Sequence, residues 1–341
     1  MKKIKLIATL STAIMIGGGY NILTTSCSSS GAQITDKNTM IYNGNEYEIA
    51  NNINPNIFCE LNSSTIANVP LESGEFIDVE KESLTSLTIL NVYEKTPTSI
   101  DSGFLYGCNN LTSLTLPETW HVTNIGKNFL CQCYALESLT IPSTWNVTQI
   151  GERFLSNCRA ITTLDLSGFS NVETISNYFL ERCNNLTTLI LPETWNVSFI
   201  GQYFMTYCNS IETLNFPNSP NLTEIKDCFL DKCSKLKSID LSNATNLNML
   251  WGNFLRDCTS LTSVNLSGCT KITTIRNGFL SGCTSLANLS VPLKDPTTIN
   301  VWSNNFMLNV PTECSIHAGD FANAYKQQTP WNTRADHITN N

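Results

Sequence analysis

Cysteine is the residue type with the most chemical potential in this chain. Of the 14 cysteines, eight recur every 25 residues, at Cys108, Cys133, Cys158, Cys183, Cys208, Cys233, Cys258 and Cys283. Thiolates bind metal ions where several ligands cluster. Here each period contributes one cysteine to the series, and the chain has only three histidines. We therefore predict no metal site and no cofactor.

Two interpretations of the cysteine series stay open. An exported chain can form disulfides, although pairing equivalent cysteines two by two would distort a uniform repeat. The interpretation that we favour is a small buried hydrophobic side chain at a tight inner corner. On that basis a serine at position 183 would bury a hydroxyl without a partner and destabilise the fold.

Three tryptophans also share one position of the period. They are Trp120, Trp145 and Trp195, with Phe169 at an adjacent position. Aromatic side chains repeated along one rim can stack on sugar rings or anchor a protein partner. The alternative, which we favour, is that each covers the upper edge of its own repeat. The predicted ligand-binding site nevertheless includes all three tryptophans as hypotheses.

The other polar residues form no catalytic motif. His121, His317 and His337 are scattered, and the sequence contains no H-E-x-x-H, G-x-S-x-G or phosphate-binding glycine loop. We predict that the protein has no catalytic residues and is not an enzyme. The formal net charge is −8, which argues against nucleic acid as a partner because phosphate binding needs a basic surface.

The cysteine series belongs to a repeat that covers most of the chain. A phenylalanine precedes each of these cysteines by four residues. An L-x-x-L-x-L segment follows the cysteine, as from Leu111 to Leu116, and then V-x-x-I, as in Val122 and Ile125. The first segment predicts a short strand with alternate residues buried, and the second predicts an irregular or single-turn helical return. One unit cannot bury its own apolar edge, so stacked units must share a continuous core.

The outward residues of the predicted strands form two columns that a ligand could contact. Both columns are small, polar and nearly uncharged, which favours a broad recognition surface. The alternative is that hydroxyl residues simply suit exposed strands and hydrogen-bond across them. The predicted ligand-binding residues are Thr115, Thr140, Thr163, Asp165, Thr188, Ile190, Thr213, Asn215, Asp240 and Asn265.

The repeat resembles that of the BspA-like, treponemal-type leucine-rich-repeat family of bacterial surface proteins. The residues that carry the resemblance are the core from Phe129 to Pro142 and the return from Val122 to Gly126. The tail, with Ala324-Tyr325-Lys326 and Trp331, looks like the closing cap of that family, in which a last strand precedes a short helix. We therefore predict an α/β-type repeat solenoid, a right-handed superhelix with one short parallel β-strand per 25-residue repeat and a cap at both ends.

The N-terminus resembles a bacterial lipoprotein leader. Lys2, Lys3 and Lys5 precede an apolar run that is too short to span a membrane, and small residues lead to Cys27, which would carry the lipid. We predict a signal peptide at 1–26, a tether at 27–38, an N-terminal cap with an Asn-Gly hairpin at 39–83, repeats at 84–312 and a C-terminal cap at 313–341. The mature chain would hold 17 basic and 28 acidic residues, a net charge of −11.

These observations predict an exported protein that is lipid-anchored at the bacterial cell surface or outer envelope. Its predicted partner is a protein ligand, such as a host extracellular protein, bound through an extended repeat face in an adhesin-like role. Glycan capture and a structural role in the envelope are the alternatives. The lipid anchor would be the protein's contact with the membrane.

Overall fold

The structure is a computed structural model of the 341-residue chain. It describes residues 84, 85, 87 and 98–340, except 117, 119 and 303, together with the backbone of the strands that precede residue 90. The N-terminal strands are β1 (Lys3–Ile4), β2 (Ala13–Gly18), β3 (Asn38–Tyr42), β4 (Asn45–Glu48), β5 (Ile66–Pro70) and β6 (Phe76–Glu80). β3 and β4 pair antiparallel with Tyr42 opposite Asn45, which confirms the predicted hairpin.

Most of the predicted leader, tether and N-terminal cap lies outside the residues that the structure describes, and Cys27 is among the residues outside. β1 and β2 fall within the predicted leader, and β2 pairs with β3 and with the first repeat strand. The boundaries of these three segments, and lipidation at Cys27, stay predictions.

The L-x-x-L-x-L segments form the predicted parallel strands. These are β7 (Ser86–Ile89), β9 (Ser113–Thr115), β11 (Ser138–Leu139), β13 (Thr163–Asp165), β15 (Thr188–Ile190), β18 (Ser238–Asp240), β20 (Ser263–Asn265) and β22 (Asn288–Ser290). Equivalent residues pair, so that Leu139 lies between Leu114 and Leu164. In the six three-residue strands β9, β13, β15, β18, β20 and β22 the central residue is buried and its neighbours face outward, as alternation requires. Residues 211–217 form no strand, and this repeat separates β15 from β18.

The V-x-x-I return segments form a second parallel sheet of nine strands, where the sequence predicts an irregular or helical return. Its strands are β8 (Ser99–Ile100), β10 (Asn124–Ile125), β12 (Gln149–Ile150), β14 (Thr174–Ile175), β16 (Phe199–Ile200), β17 (Glu224–Ile225), β19 (Met249–Leu250), β21 (Thr274–Ile275) and β23 (Asn300–Val301). The predicted repeat solenoid is confirmed, with a second short strand in each repeat. Each return strand has two residues and one inward side chain, too short a pattern to show alternation in the sequence.

The F-L-x-x-C segment closes each turn of the solenoid with an unusual backbone. In one repeat Asn128, Leu130 and Gln132 all have positive φ, at 60°, 52° and 64°. The Leu130 amide donates to the Phe104 carbonyl at 2.9 Å, whereas the Gln132 amide donates to the following repeat. The phenylalanine rings stack from Phe104 to Phe306, with centroids of successive rings 5.3–5.7 Å apart. The segment therefore ties each repeat to both neighbours and supplies a continuous aromatic core.

A short C-terminal cap covers the last repeat. It consists of β24 (Ser315–His317), the α-helix α1 (Ala322–Gln327) and β25 (Ile338–Thr339), with 3-10 turns at Gly319–Phe321 and Trp331–His337; a further 3-10 turn, at Pro296–Thr298, belongs to the last repeat. β24 pairs with β22 and with β25. The Trp331 ring packs edge-on against Phe306, with centroids 4.8 Å apart, and so ends the phenylalanine stack. The last strand and short helix implied by the family resemblance are thus present.

Candidate functional site

The predicted outward columns lie together on one exposed surface. We call this surface, formed by the outward residues of the L-x-x-L-x-L segments, the strand face. Nine of the ten predicted residues on it are exposed and Asn265 is half-buried. Ile190, at 44% exposure, is a large apolar side chain within this otherwise polar surface. The strand face is therefore accessible to a large partner along successive repeats.

The hydroxyl groups of the strand face are not used to join the strands. Thr187 and Thr262, which lie one residue before the face, donate hydrogen bonds to carbonyls of the preceding repeat. Thr163, Thr188 and Thr213 make no such side-chain bond within the described part of the chain, so their hydroxyls can bond a ligand. These three hydroxyls are therefore open to solvent or to a ligand.

The two aspartates of the strand face are engaged by their own turns. Asp165 Oδ1 accepts a hydrogen bond from the Ser167 amide at 2.8 Å, and Asp240 Oδ1 accepts one from the Ser242 amide at 2.8 Å. Asp240 also accepts from the Asn265 side chain at 3.1 Å. Both carboxylates remain exposed, and each forms a turn with the backbone two residues further on.

The predicted tryptophan rim is wrong as a contact surface. Trp120, Trp145 and Trp195 are 1–3% exposed, so they cannot touch a ligand in this structure. Trp145 packs edge-on against the Phe129 ring, with centroids 6.4 Å apart, and stacks on Trp120 at the same distance. The turn folds back over the phenylalanine stack because the large apolar rings gain more from burial than from solvent exposure. The tryptophans therefore cover the edge of the core.

The cysteine series hydrogen-bonds to the left-handed segment. The Cys158 thiol donates to the Leu130 carbonyl at 3.1 Å, and Cys183 donates to the Leu155 carbonyl at 3.2 Å. The same bond recurs at 3.1–3.2 Å for Cys133, Cys208, Cys233, Cys258 and Cys283. None of the twelve cysteines in the described part of the chain forms a disulfide, and all are buried. The buried-thiol interpretation is confirmed, and the thiol also acts as a donor.

Burial keeps these thiols neutral. Desolvation of the thiolate raises the pKa of Cys183 and of Cys283 to about 12, and the pKa of Cys131 to about 11. Thiolate is the nucleophilic and metal-binding form of cysteine. In the described part of the chain no group of three or more histidine, cysteine or acidic residues is placed to hold a metal ion. The burial and hydrogen bonds of the cysteine series are those of residues that stabilise the fold.

The sequence of the repeats decides the family. The model of the BspA type leucine-rich repeat region matches residues 79–211 and 173–307, with six copies. These matches span more than half of the chain. The chain belongs to the BspA-type leucine-rich repeat family. No curated protein matches the chain.

Several solved structures are similar to the BspA-type repeats of this chain. A leucine-rich cell surface protein from Faecalibacterium prausnitzii is 16% identical, with a TM-score of 0.33, covering 67% of this chain and 83% of its own. A leucine-rich repeat protein from Bacteroides ovatus is 18% identical, with a TM-score of 0.30, covering 70% and 81%. The leucine-rich repeat protein of T. pallidum is 17% identical, with a TM-score of 0.25, covering 62% and 69%. No helix in the described residues of this chain is long and apolar enough to cross a membrane.

The BspA-type repeats also carry a feature that the 25-residue periodicity does not predict. Residues at one position directly after the return strands stack in the order cation, indole, cation, indole. We call this set the cation–aromatic column; its members are Lys226, Trp251, Arg276 and Trp302. The Lys226 ammonium lies 3.9 Å from the Trp251 ring centroid, and the Arg276 guanidinium lies 3.8 Å from it. Three earlier repeats have glycine at this position, so aligning the repeats would have revealed the change.

Two shorter columns of the same kind lie on the F-L-x-x-C segments. In one, the Arg153 guanidinium lies 4.6 Å from the Tyr178 ring centroid, and Tyr178 stacks on Tyr203. In the other, Tyr207 is flanked by Arg182 and Lys232. The Lys232 ammonium donates to the Tyr207 hydroxyl at 3.0 Å, which raises the pKa of Lys232. These partly exposed rings are held by neighbouring cations of the same stack.

Proposed function

We propose that this protein is an exported surface protein that binds a protein ligand through the strand face. The observation that carries the proposal is the row of exposed hydroxyls at Thr163, Thr188 and Thr213, for which the described part of the chain shows no side-chain hydrogen bond. The exposed Ile190 side chain lies in the same set of strands. An apolar anchor surrounded by hydrogen-bonding groups is the usual composition of a protein-recognition surface.

The charge of the strand face suits a ligand that is recognised by shape and hydrogen bonding. Asp165 and Asp240 are the only two charged members of the predicted site, and both are engaged by local turns. Little long-range attraction is available, so association depends weakly on salt. An extended surface of this kind spreads the contact over several repeats.

Attachment to the cell surface belongs to the same proposal. The leader-like N-terminus predicts export and lipidation at Cys27, and a similar F. prausnitzii protein is described as a cell surface protein. Mass spectrometry of the protein purified from its native membrane tests the anchor. A mature N-terminus at Cys27 with acyl chains supports it, whereas an unmodified N-terminus beyond residue 27 contradicts it.

The tryptophans that suggested glycan binding are not accessible to a glycan. That alternative depended on a rim of exposed tryptophans, but Trp120, Trp145 and Trp195 are buried in the core. A role in envelope architecture has no specific observation in its favour.

The class of ligand is tested by presenting the purified full chain to two arrays, one of extracellular matrix proteins and one of glycans. We expect saturable binding to a protein, weakened by Ile190→Asp because a charge would face an apolar contact. Thr174→Asp, on the return sheet, is the matched control and should bind normally. Binding to glycans alone, or equal binding by Ile190→Asp, would contradict the proposal.

A further inference from the structure

The Arg276 guanidinium lies between two indole rings. Its central carbon lies 3.8 Å from the Trp251 ring centroid and 4.8 Å from that of Trp302. Trp251, Arg276 and Trp302 occupy the same position in successive repeats. Their backbone amides donate to the carbonyls of Ile225, Leu250 and Ile275, respectively. Stacking on both faces restricts the side chain and leaves the edge of the guanidinium plane for hydrogen bonding.

That edge has donors without acceptors. Arginine carries five N–H donors in one plane, and no hydrogen bond or ion pair of the Arg276 side chain is found within the described part of the chain. The Nε atom is shielded from solvent and has no partner, whereas the residue as a whole is half-exposed. Nε is closed to a ligand in this conformation, so an arriving carboxylate would bond the two terminal nitrogens of the half-exposed guanidinium.

The net charge of the cation–aromatic column suits a ligand group with a single negative charge. The Lys226 ammonium is paired with Glu224, in a hydrogen bond between Nζ and Oε2. This pair is neutral overall, so Arg276 supplies the net positive charge of the column. A polyanion would need several cations for tight binding. One guanidinium instead suits one carboxylate, which it can bind through two parallel hydrogen bonds.

Two aromatic rings flank the guanidinium. Trp302 is 41% exposed and is the last member of the column in chain order. Trp251 lies on the other side of the guanidinium. A strongly hydrated sulfate or phosphate would lose water against these rings, whereas an acidic side chain beside an aromatic or aliphatic residue would fill both parts of the surface.

We propose that Arg276, held between Trp251 and Trp302, is a recognition site for an acidic residue of a peptide segment that also carries an adjacent apolar side chain. The site lies at the end of the return strands and is separate from the strand face. It gives the protein a second binding surface, on which charge rather than hydroxyl groups selects the partner.

The test uses the full chain and two blocked peptides, acetyl-Phe-Glu-Phe-amide and acetyl-Phe-Gln-Phe-amide. The NMR signal of the Arg276 Nε–H group, in the same guanidinium as the two terminal nitrogens that would bind the carboxylate, reports binding at this side chain. We expect the glutamate peptide to shift this signal in a saturable manner and to bind roughly tenfold more tightly than the glutamine peptide, as expected for a charge-assisted pair of hydrogen bonds.

Variants separate recognition from folding. Arg276→Gln should weaken binding of the glutamate peptide about tenfold, and Arg276→Lys should do so about fivefold because an ammonium cannot form the two-pronged contact. Arg153→Gln, which removes another stacked arginine, is the matched control and should bind normally. Circular dichroism checks that each variant folds.

Several outcomes would overturn the proposal. They are equal affinity for the two peptides, unchanged binding by a folded Arg276→Gln variant, or binding of inorganic phosphate or of a sulfated oligosaccharide in preference to the glutamate peptide. Normal peptide binding by Ile190→Asp would show that this site works independently of the strand face.

Discussion

At the residue scale, the cysteine of each repeat does more than fill space. The carbonyl that accepts the Cys183 thiol belongs to Leu155, whose φ is 51°. The same carbonyl also accepts the Cys158 amide at 3.2 Å. The thiol therefore supplies the second hydrogen bond to a carbonyl in a strained turn, which explains why a donor recurs at this buried position.

This role changes the expected effect of substituting Cys183. The sequence alone suggests that a serine would bury an unsatisfied hydroxyl, but the structure places the Leu155 carbonyl within its reach. We expect Cys183→Ser to cost about 1 kcal/mol and Cys183→Ala about 2 kcal/mol, because alanine loses the hydrogen bond and leaves a cavity. Denaturant unfolding measures both. Serine proving clearly worse than alanine would contradict the hydrogen-bonding role.

Gln132 and its equivalents in other repeats have a left-handed backbone conformation. Gln132 has φ of 64°, and the equivalent residues Gly107 and Gly282 have positive φ as well. Relief of left-handed strain, about 1–2 kcal/mol, is offset by the entropy of glycine, about 0.5–1 kcal/mol. Gln132→Gly should therefore change the free energy of unfolding by less than about 1 kcal/mol.

The matched variant is Gln132→Val. A β-branched side chain fits the left-handed region poorly, and we expect a loss of about 2 kcal/mol or more. Urea unfolding of the two variants side by side checks the prediction. If valine is tolerated as well as glycine, the backbone at this position is not left-handed in solution.

The sequence identifies the core residues of the repeat, but it does not show whether the tryptophan side chains are buried or exposed. The spacing of phenylalanine, cysteine and leucine names the buried positions, because each is apolar in nearly every repeat. Trp120 lies in a polar turn, and its burial depends on how that turn folds over Phe104, with ring centroids 6.5 Å apart. Such contacts between segments are invisible to periodicity.

At the element scale, the L-x-x-L-x-L strand could be predicted and the return strand could not. The first has three residues in alternation and a repeated leucine pattern. The second, as in Asn124–Ile125, is defined by pairing with neighbouring repeats. Stacking therefore creates this strand, and only the assembled solenoid reveals it.

The C-terminal cap depends on one arginine. The Arg334 guanidinium donates to the carbonyls of Pro311, Val310 and Met307 at 2.6, 2.9 and 3.2 Å. Met307 has φ of 48° and corresponds to the leucines whose carbonyls accept a thiol in earlier repeats. Arg334 thus replaces the missing cysteine of a following repeat.

We expect Arg334→Ala to destabilise the cap by about 2–3 kcal/mol, because three carbonyls lose a charged donor. Arg334→Lys should recover part of the loss, since one ammonium cannot reach all three. Hydrogen exchange over residues 307–340 measures the opening of the cap. Lys326→Ala, in the same cap, is the control. Unchanged exchange in Arg334→Ala would rule out the capping role.

At the scale of the whole molecule, the buried thiols make stability depend on alkaline pH. Desolvation raises the folded-state pKa of Cys183, Cys269 and Cys283 to about 12, above the unfolded value of about 8.5. The folded state therefore binds more protons than the unfolded state between these values. The stabilisation is complete below pH 8.5 and is lost as the pH rises towards 12.

We expect the free energy of unfolding to change little between pH 7 and 8 and to fall above pH 9. Each buried thiol contributes up to about 1.4 kcal/mol per pH unit. Lysines and tyrosines also titrate in this range, so Cys183→Ala is the comparison. Its pH dependence should be shallower than that of the parent protein, and an identical slope would contradict this linkage.

We infer that the strand face is the surface through which the solenoid binds its ligand. The decisive measurement is of the dissociation constants, for the protein ligand found on the matrix array, of Thr188→Arg on the strand face and of Thr174→Arg on the return sheet. Both place the same bulky charge on an outward strand position. We predict at least a tenfold loss of affinity for Thr188→Arg and none for Thr174→Arg, with both variants folded. Full affinity in a folded Thr188→Arg variant, or an equal loss in both variants, would contradict this inference.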